Sequence, residues 1–144
     1  MYVGVLVLLS LTSRAQAVYI WIEGEHPTHA EVTRHPWWYD RVQKSQLSGG
    51  DFISHWDADK AGQAIYKFDA QQAGQYEFWV RANPIQTTLS YRLNGSDWTP
   101  IDTAHNLVDE VNIAEGNALD IRFLAWMKIG AVDLKKGSNT VQFS

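Results

Sequence analysis

The sequence predicts an all-β protein, an antiparallel β-sandwich, and three observations carry that expectation. Apolar and polar residues alternate with period two through most of the patterned segments, as strands with one buried face require. Turn residues separate those segments at short intervals, which suits hairpin-connected neighbours. A helical period is confined to residues 38–47, where Trp38, Val42 and Gln46 fall on one side. Several short strands with few helices point to two packed sheets.

Each element follows from its own pattern. Residues 18–22 place Val18, Ile20 and Ile22 on one face, with Tyr19, Trp21 and then Glu23 on the other. In residues 63–69, Ala64, Tyr66 and Phe68 share a face. Residues 74–82 gather Tyr76, Phe78 and Val80 against Glu77, Trp79 and Arg81. Leu89, Tyr91 and Leu93 alternate with Ser90, Arg92 and Asn94, and Asn94-Gly95 is a strong hairpin signal. Residues 103–120 read as a polar, irregular surface loop. Residues 121–134 hold one bent strand or two, and residues 139–143 alternate again. Ala73-Gly74, Asn83-Pro84 and Lys135-Lys136-Gly137-Ser138 supply the turns.

The chain opens on Val3-Gly4-Val5-Leu6-Val7-Leu8-Leu9 and reaches Ala15-Gln16-Ala17. An apolar run before a small-x-small site reads as a secretory signal peptide over residues 1–17, although no Lys or Arg precedes it. The run is too short to span a membrane. The expected location is therefore secreted, periplasmic or cell-surface, with residues 18–144 as one domain. The sequence holds no cysteine, so neither a disulfide frame nor a thiolate metal site is available. Its net charge of −4, with no basic run, excludes nucleic acid and anionic membrane surfaces as natural partners.

Seven tryptophans in 144 residues exceed what one core of this size needs. Indole is rarely buried completely, and flat aromatic faces outside a core serve recognition. Trp37-Trp38-Tyr39 is the densest group.

Several local patterns, in order, resemble one family group. They are Ile22-Glu23-Gly24-Glu25, the glycine turn Ser48-Gly49-Gly50, and Ala64 to Phe68 followed by Ala73-Gly74-Gln75-Tyr76 and Glu77 to Arg81. Leu93-Asn94-Gly95 and Trp126 with Val132-x-Leu134-x-x-Gly137-x-Asn139 complete the set. Together they resemble carbohydrate-binding modules of families six and thirty-five, which have a galactose-binding-like jelly roll. In that family another strand follows the Gly-x-Asn turn and carries an aspartate for a structural calcium. The resemblance thus implies a chain cut short of its last strand, with a sheet edge left unpaired.

The resemblance assigns Glu23 and Glu25 to structural calcium. Two apart on an extended strand, they would point to one face. It also implies a sugar cleft among the loops, for which Phe52 or Trp56, with Trp126, are the nearest matches. Trp37, Trp38 and Tyr39 are placed to wall the same cleft, or else to cover the open end of the sandwich. Trp56, beside Asp57 and Asp59, is the better loop candidate. A second surface is the outer sheet face, where Trp79 would stand with Arg81, Trp21 and Tyr19. There Arg81 suits a hydroxyl or a uronate carboxylate, unless a loop covers Trp79 and Trp21. Trp98 is read as framework. His26, His29 and His35 lack a helical zinc pattern and read as solvated loop residues.

Glycoside hydrolysis needs two carboxylates placed across a bond, and neither Glu23 with Glu25 nor Asp57 with Asp59 is spaced for that. No nucleophile or phosphate-loop motif occurs. The expectation is a non-catalytic module that binds polysaccharide or oligosaccharide and targets a catalytic domain of the same polypeptide. The alternatives are a structural or protein-interaction domain of an extracellular protein, and an accessory fragment of a glycoside hydrolase.

Overall fold

The computed structural model describes residues 18–34, 41–57, 59–85 and 88–144. Eight strands form two antiparallel sheets: β1 (His29–Glu31), β2 (Gln63–Ala70), β3 (Gly74–Ala82), β4 (Ser90–Leu93), β5 (Thr99–Pro100), β6 (Leu107–Asn112), β7 (Phe123–Leu134) and β8 (Gly137–Phe143). One sheet has the order β1-β2-β8-β4-β5 and the other the order β3-β7-β6. The described residues contain no α-helix, only 3₁₀ turns at Lys44–Gln46 and Glu115–Asn117. The all-β antiparallel sandwich expected from alternation is what the chain forms.

The period-two pattern dictates the core. On β2, Ala64, Tyr66 and Ala70 point inward, and on β8 Val141 meets Tyr66 in register. Phe78 of the smaller sheet bridges to the larger one, 5.3 Å from the Tyr91 ring and 6.4 Å from that of Phe143. Tyr66 and Phe143 meet edge to face at 5.9 Å. Tyr66, Phe78, Tyr91 and Phe143 supply the aromatic contacts of this core, beside aliphatic Ala64 and Val141. None of the described tryptophans is buried.

Two hairpins show how local chemistry sets register. Asn94 and Gly95 both adopt positive φ, 51° and 80°, the combination a tight turn after β4 demands and Asn-Gly tolerates best. Between β7 and β8, Asn139 is 1 % exposed, and its amide satisfies four partners. Its nitrogen donates to the carbonyls of Lys135 and Gly137, while its oxygen accepts from the Lys135 N–H and from Asn94 Nδ2. The Gly-x-Asn pattern is thus a buried structural clasp joining two hairpins.

Three expectations change. Residues 103–120 are not wholly loop, because β6 runs through them; a register shift between Val108 and Val111, with Asp109 at φ 53°, breaks the alternation that would reveal it. Residues 18–22 pair with no strand, despite their pattern. The helical stretch reduces, in its described part, to the 3₁₀ turn Lys44–Gln46 beside the isolated bridge Val42–Ala114. The apolar run at residues 1–17 and the group Trp37, Trp38 and Tyr39 lie outside the described residues, as does His35.

β7 is one strand whose inward side changes parity. Ala125 and Met127 face the core before Ile129, whereas Val132 and Leu134 do so after it. The pairing explains this: Phe78 meets Gly130 but Trp79 meets Lys128, so Ile129 is an extra residue at a bulge. That single insertion turns Trp126 and Lys128 outward.

Candidate functional site

The outer face of the three-stranded sheet collects the aromatic residues. With Val80 opposite buried Met127, the flanking pairs Arg81–Trp126 and Trp79–Lys128 must project to the other side. Val108 of β6 stands opposite Trp126, so Arg81, Trp126 and Val108 form one row across the three strands. Trp21 adds its ring edge-on to Trp126, with centroids 5.8 Å apart. Trp21 is 56 % and Trp79 39 % exposed, and Trp126 is half-buried.

Charged groups are interleaved with these rings. The Arg81 guanidinium lies 6.0 Å from the Trp126 ring centre and the Lys128 ammonium 5.6 Å from that of Trp79. Lys128 also pairs with Glu77 at 2.5 Å, in a solvent-exposed position where such a pair adds little stability. Arg81 Nε is fully withdrawn from solvent and has no acceptor among the described residues.

Trp21 is fixed by the segment that follows it. Its indole N–H donates to Glu23 at 2.8 Å, and the Ser48 hydroxyl donates to the other Glu23 oxygen at 2.7 Å. The Ser48 hydrogen bond, and after it that of Trp21, holds the Glu23 carboxyl below its usual range. The chain then turns at Gly24–Glu25, with the His26 N–H bonded to the Glu23 carbonyl at 3.2 Å. Glu23 and Glu25 therefore do not share the face of an extended strand, as their spacing had suggested.

Glu25 goes inward instead. Its carboxylate rests against Gly49 so closely that a Cβ there would collide with Oε1, so the glycine turn is needed for this approach. That oxygen is buried and has no hydrogen-bond donor among the described residues. Nearby, the Tyr66 hydroxyl donates to the Gly24 carbonyl at 2.7 Å. Burial, and then the Glu25 charge, push the Tyr66 pKa up to about 12, so it remains a donor. Among the described residues no three His, Asp or Glu side chains stand together as a metal site. Of the two glutamates, Glu25 fits a cation ligand through its orphaned oxygen. Both oxygens of Glu23 are already accepting.

The loop candidates are arranged differently. Trp56 is 64 % exposed, on a segment tied back by its own N–H to the Thr33 carbonyl at 2.8 Å. The neighbouring His55 bridges the Thr33 N–H at 3.0 Å and the Lys60 carbonyl at 2.8 Å, and its ring packs against Gly62. Phe52 lies under Arg34, 5.2 Å from the guanidinium carbon. Asp57 caps the backbone N–H groups of Asp59 and Lys60, which lowers its pKa and gives it a structural role. Trp126, expected in the loop cleft with Trp56, stands instead on β7 beside Arg81. Trp21, Trp79 and Arg81 thus lie on the sheet face where the sequence places them, and Trp126 joins them there and not among the loops.

An open depression of about 320 Å³ lies apart from the indoles, lined by Glu110, Asn112, Leu119, Asp120 and Phe123. Asp120 is held by Arg122 at 2.6 Å, and that contact keeps its carboxyl ionised well into acid. Trp98, on the opposite side of the sandwich, is 39 % exposed beneath Arg92. His26 and His29 are exposed, and His29 has Glu31 as its neighbour at 3.3 Å. No match to this chain was found among protein-family models or among curated proteins.

Proposed function

We propose that this chain is a secreted, non-catalytic carbohydrate-binding module, of the family six and thirty-five jelly-roll type, that holds an attached catalytic domain to polysaccharide. The observation that carries the reading is the gathering of Trp21, Trp79 and Trp126 on one outer sheet face, while the aromatic rings packed against the core are tyrosine and phenylalanine. Pyranose rings have an apolar face that covers an indole well, and hydroxyls need a few convergent polar groups. Arg81, Lys128 and Glu77 supply donors and acceptors beside the rings. Trp56, with Trp37, Trp38 and Tyr39, belongs to a second, loop-borne contact in this reading.

Calcium has a structural role in the proposal, with Glu25 as its side-chain ligand. A buried carboxylate oxygen lacking a donor is stabilised by a cation, which also suits oxygen-rich turns. Chelator should then lower the melting temperature of the wild type but not that of Glu25→Gln.

Affinity electrophoresis of the full chain against xylan, β-glucan, mannan and pectin tests the function. Retention by at least one of them is expected, weakened by Trp79→Ala and by Trp126→Ala. A folded chain retained by none of the four would end the reading.

A further inference from the structure

Two open sheets have four edge strands, and three of them are blunted here. β1 has three residues, and β5 has two, one of them Pro100. β6 breaks its register between Val108 and Val111, with Asp109 at φ 53°. Short strands, proline and bulges are the usual means of keeping a sheet edge from pairing with another chain. β3 has none of them. It runs for nine residues without proline, and the bulge in its ladder lies on β7, so its own alternation is unbroken. Among the described residues no strand meets its free side. Its inward residues Tyr76, Phe78 and Val80 stay only half-buried, whereas Ala125 and Met127 on β7, between two strands, are buried.

The strand is also complementary to its own reverse. With Trp79 opposite the partner's Trp79, Glu77 faces the partner's Arg81 and Arg81 faces the partner's Glu77. On the inner side of the same register, Phe78 faces the partner's Val80 and Tyr76 the partner's Ala82. No other antiparallel register sets both charges against their opposites, and one centred on Glu77 would bring two carboxylates together. We infer that β3 is the interface of a homodimer, in which two copies pair edge to edge about a two-fold axis at Trp79 and join their three-stranded sheets into one. Each chain has a single long, unblunted edge, so the contact is isologous and closes at two. Glu77 and Asp133 stand beside Arg81 and Lys128 on the outer face, so the joined surface carries both signs. The inference does not depend on the carbohydrate reading.

Sedimentation velocity of the full chain over a dilution series tests this. A monomer–dimer equilibrium is expected, dissociating on dilution and with no larger species. Glu77→Arg and Arg81→Glu each set like charges opposite each other, so either variant alone should associate about tenfold more weakly or worse. An equimolar mixture of the two variants restores both opposite-charge pairs and should recover the wild-type association. If either variant fails to melt cooperatively, single cysteines decide, since the chain has none of its own. Trp79→Cys, on the two-fold axis, should give a disulfide-linked dimer on oxidation. Gln75→Cys should not, because the register sets it opposite the partner's Asn83. A chain that stays monomeric at every concentration overturns the inference. A dimer that both charge variants keep overturns it too, as does failure of the two variants to rescue each other or equal cross-linking of the two cysteines. Open-ended association overturns the closed pair in favour of an unguarded edge.

Discussion

The two outer faces of the sandwich use the same pair of residue types to different ends. On the five-stranded sheet, Arg92 lies 4.7 Å above the Trp98 ring and donates to Gln142, its cross-strand neighbour. That row continues through Ile65 to His29, and its charged neighbours Lys67, Asp69 and Glu31 are exposed to water. On the three-stranded sheet, Arg81 also approaches an indole, but its Nε meets no acceptor among the described residues, and two further tryptophans flank the pair. An arginine on a tryptophan does not by itself mark a binding surface. What separates the faces is whether the polar groups are already satisfied within the fold.

The aromatic face rests on a rigid platform beneath Trp126, and removing that support gives the largest expected effect. Met127 is 1 % exposed, directly behind the aromatic row. Met127→Ala should cost about 2–5 kcal/mol by denaturant unfolding, through lost contacts and a cavity. It should also weaken polysaccharide binding. Val141→Ala, under the other face, should reduce stability and leave affinity unchanged at temperatures where the chain is folded. If both mutants lose affinity equally, the faces are not functionally distinct.

Truncating the rings asks the same question directly. Trp79→Ala and Trp126→Ala should each weaken binding by about tenfold or more, as expected for central aromatic anchors. Trp98→Ala should stay within about twofold of wild type, as residues outside a contact do. Isothermal titration against the polymer with highest affinity makes the measurement, and a large loss in Trp98→Ala would reverse the assignment.

Half of this contrast can be read in the sequence. Alternation through β2, β3, β4 and β8 gives the inward sets correctly, so the outward direction of Trp79 and Arg81 follows from Tyr76, Phe78 and Val80. Trp126 is harder, because its direction depends on the parity change at Ile129, which is a property of pairing with β3. β6 hides behind a positive φ at Asp109, while β1 and β5, of three and two residues, are shorter than any period can show. Residues 18–22 have a strand's pattern without a strand's partner, and patterns report only which face is apolar. The satisfaction of Arg92 and the isolation of Arg81 are tertiary facts, set by Gln142, fifty residues from Arg92 in sequence, and by the Glu77–Lys128 pair.

Stability should separate the two arginines in the sense opposite to binding. Arg92→Ala removes a satisfied hydrogen bond and the cover of Trp98, and should cost about 0.5–1.5 kcal/mol. Arg81→Leu keeps the apolar stem and eliminates a desolvated donor, so it should be neutral or stabilising. Paired thermal melts in the absence of polysaccharide distinguish them. A destabilised Arg81→Leu would mean that the fold itself uses the guanidinium.

The smallest expected effect concerns the residue that links the aromatic face to the glycine turn. Glu23 accepts from both Trp21 and Ser48 as a carboxylate, and these bonds place its folded pKa below the unfolded value. A group depressed in this way contributes stability above its unfolded pKa and loses it as pH falls through the folded one. Because Glu23 is only partly buried, the change should be small in global stability and larger in the local environment of Trp21. Acid titration of indole fluorescence should therefore show a transition below the ordinary glutamate range, with Trp21 released as Glu23 protonates. Ser48→Ala removes the larger of the two causes and should move that transition to higher pH. Trp21→Phe should abolish it, which distinguishes it from signals of Trp79 and Trp126. A transition that survives Trp21→Phe would show that Glu23 does not anchor this edge of the face, and the platform would then consist of Trp79, Trp126 and Arg81 alone.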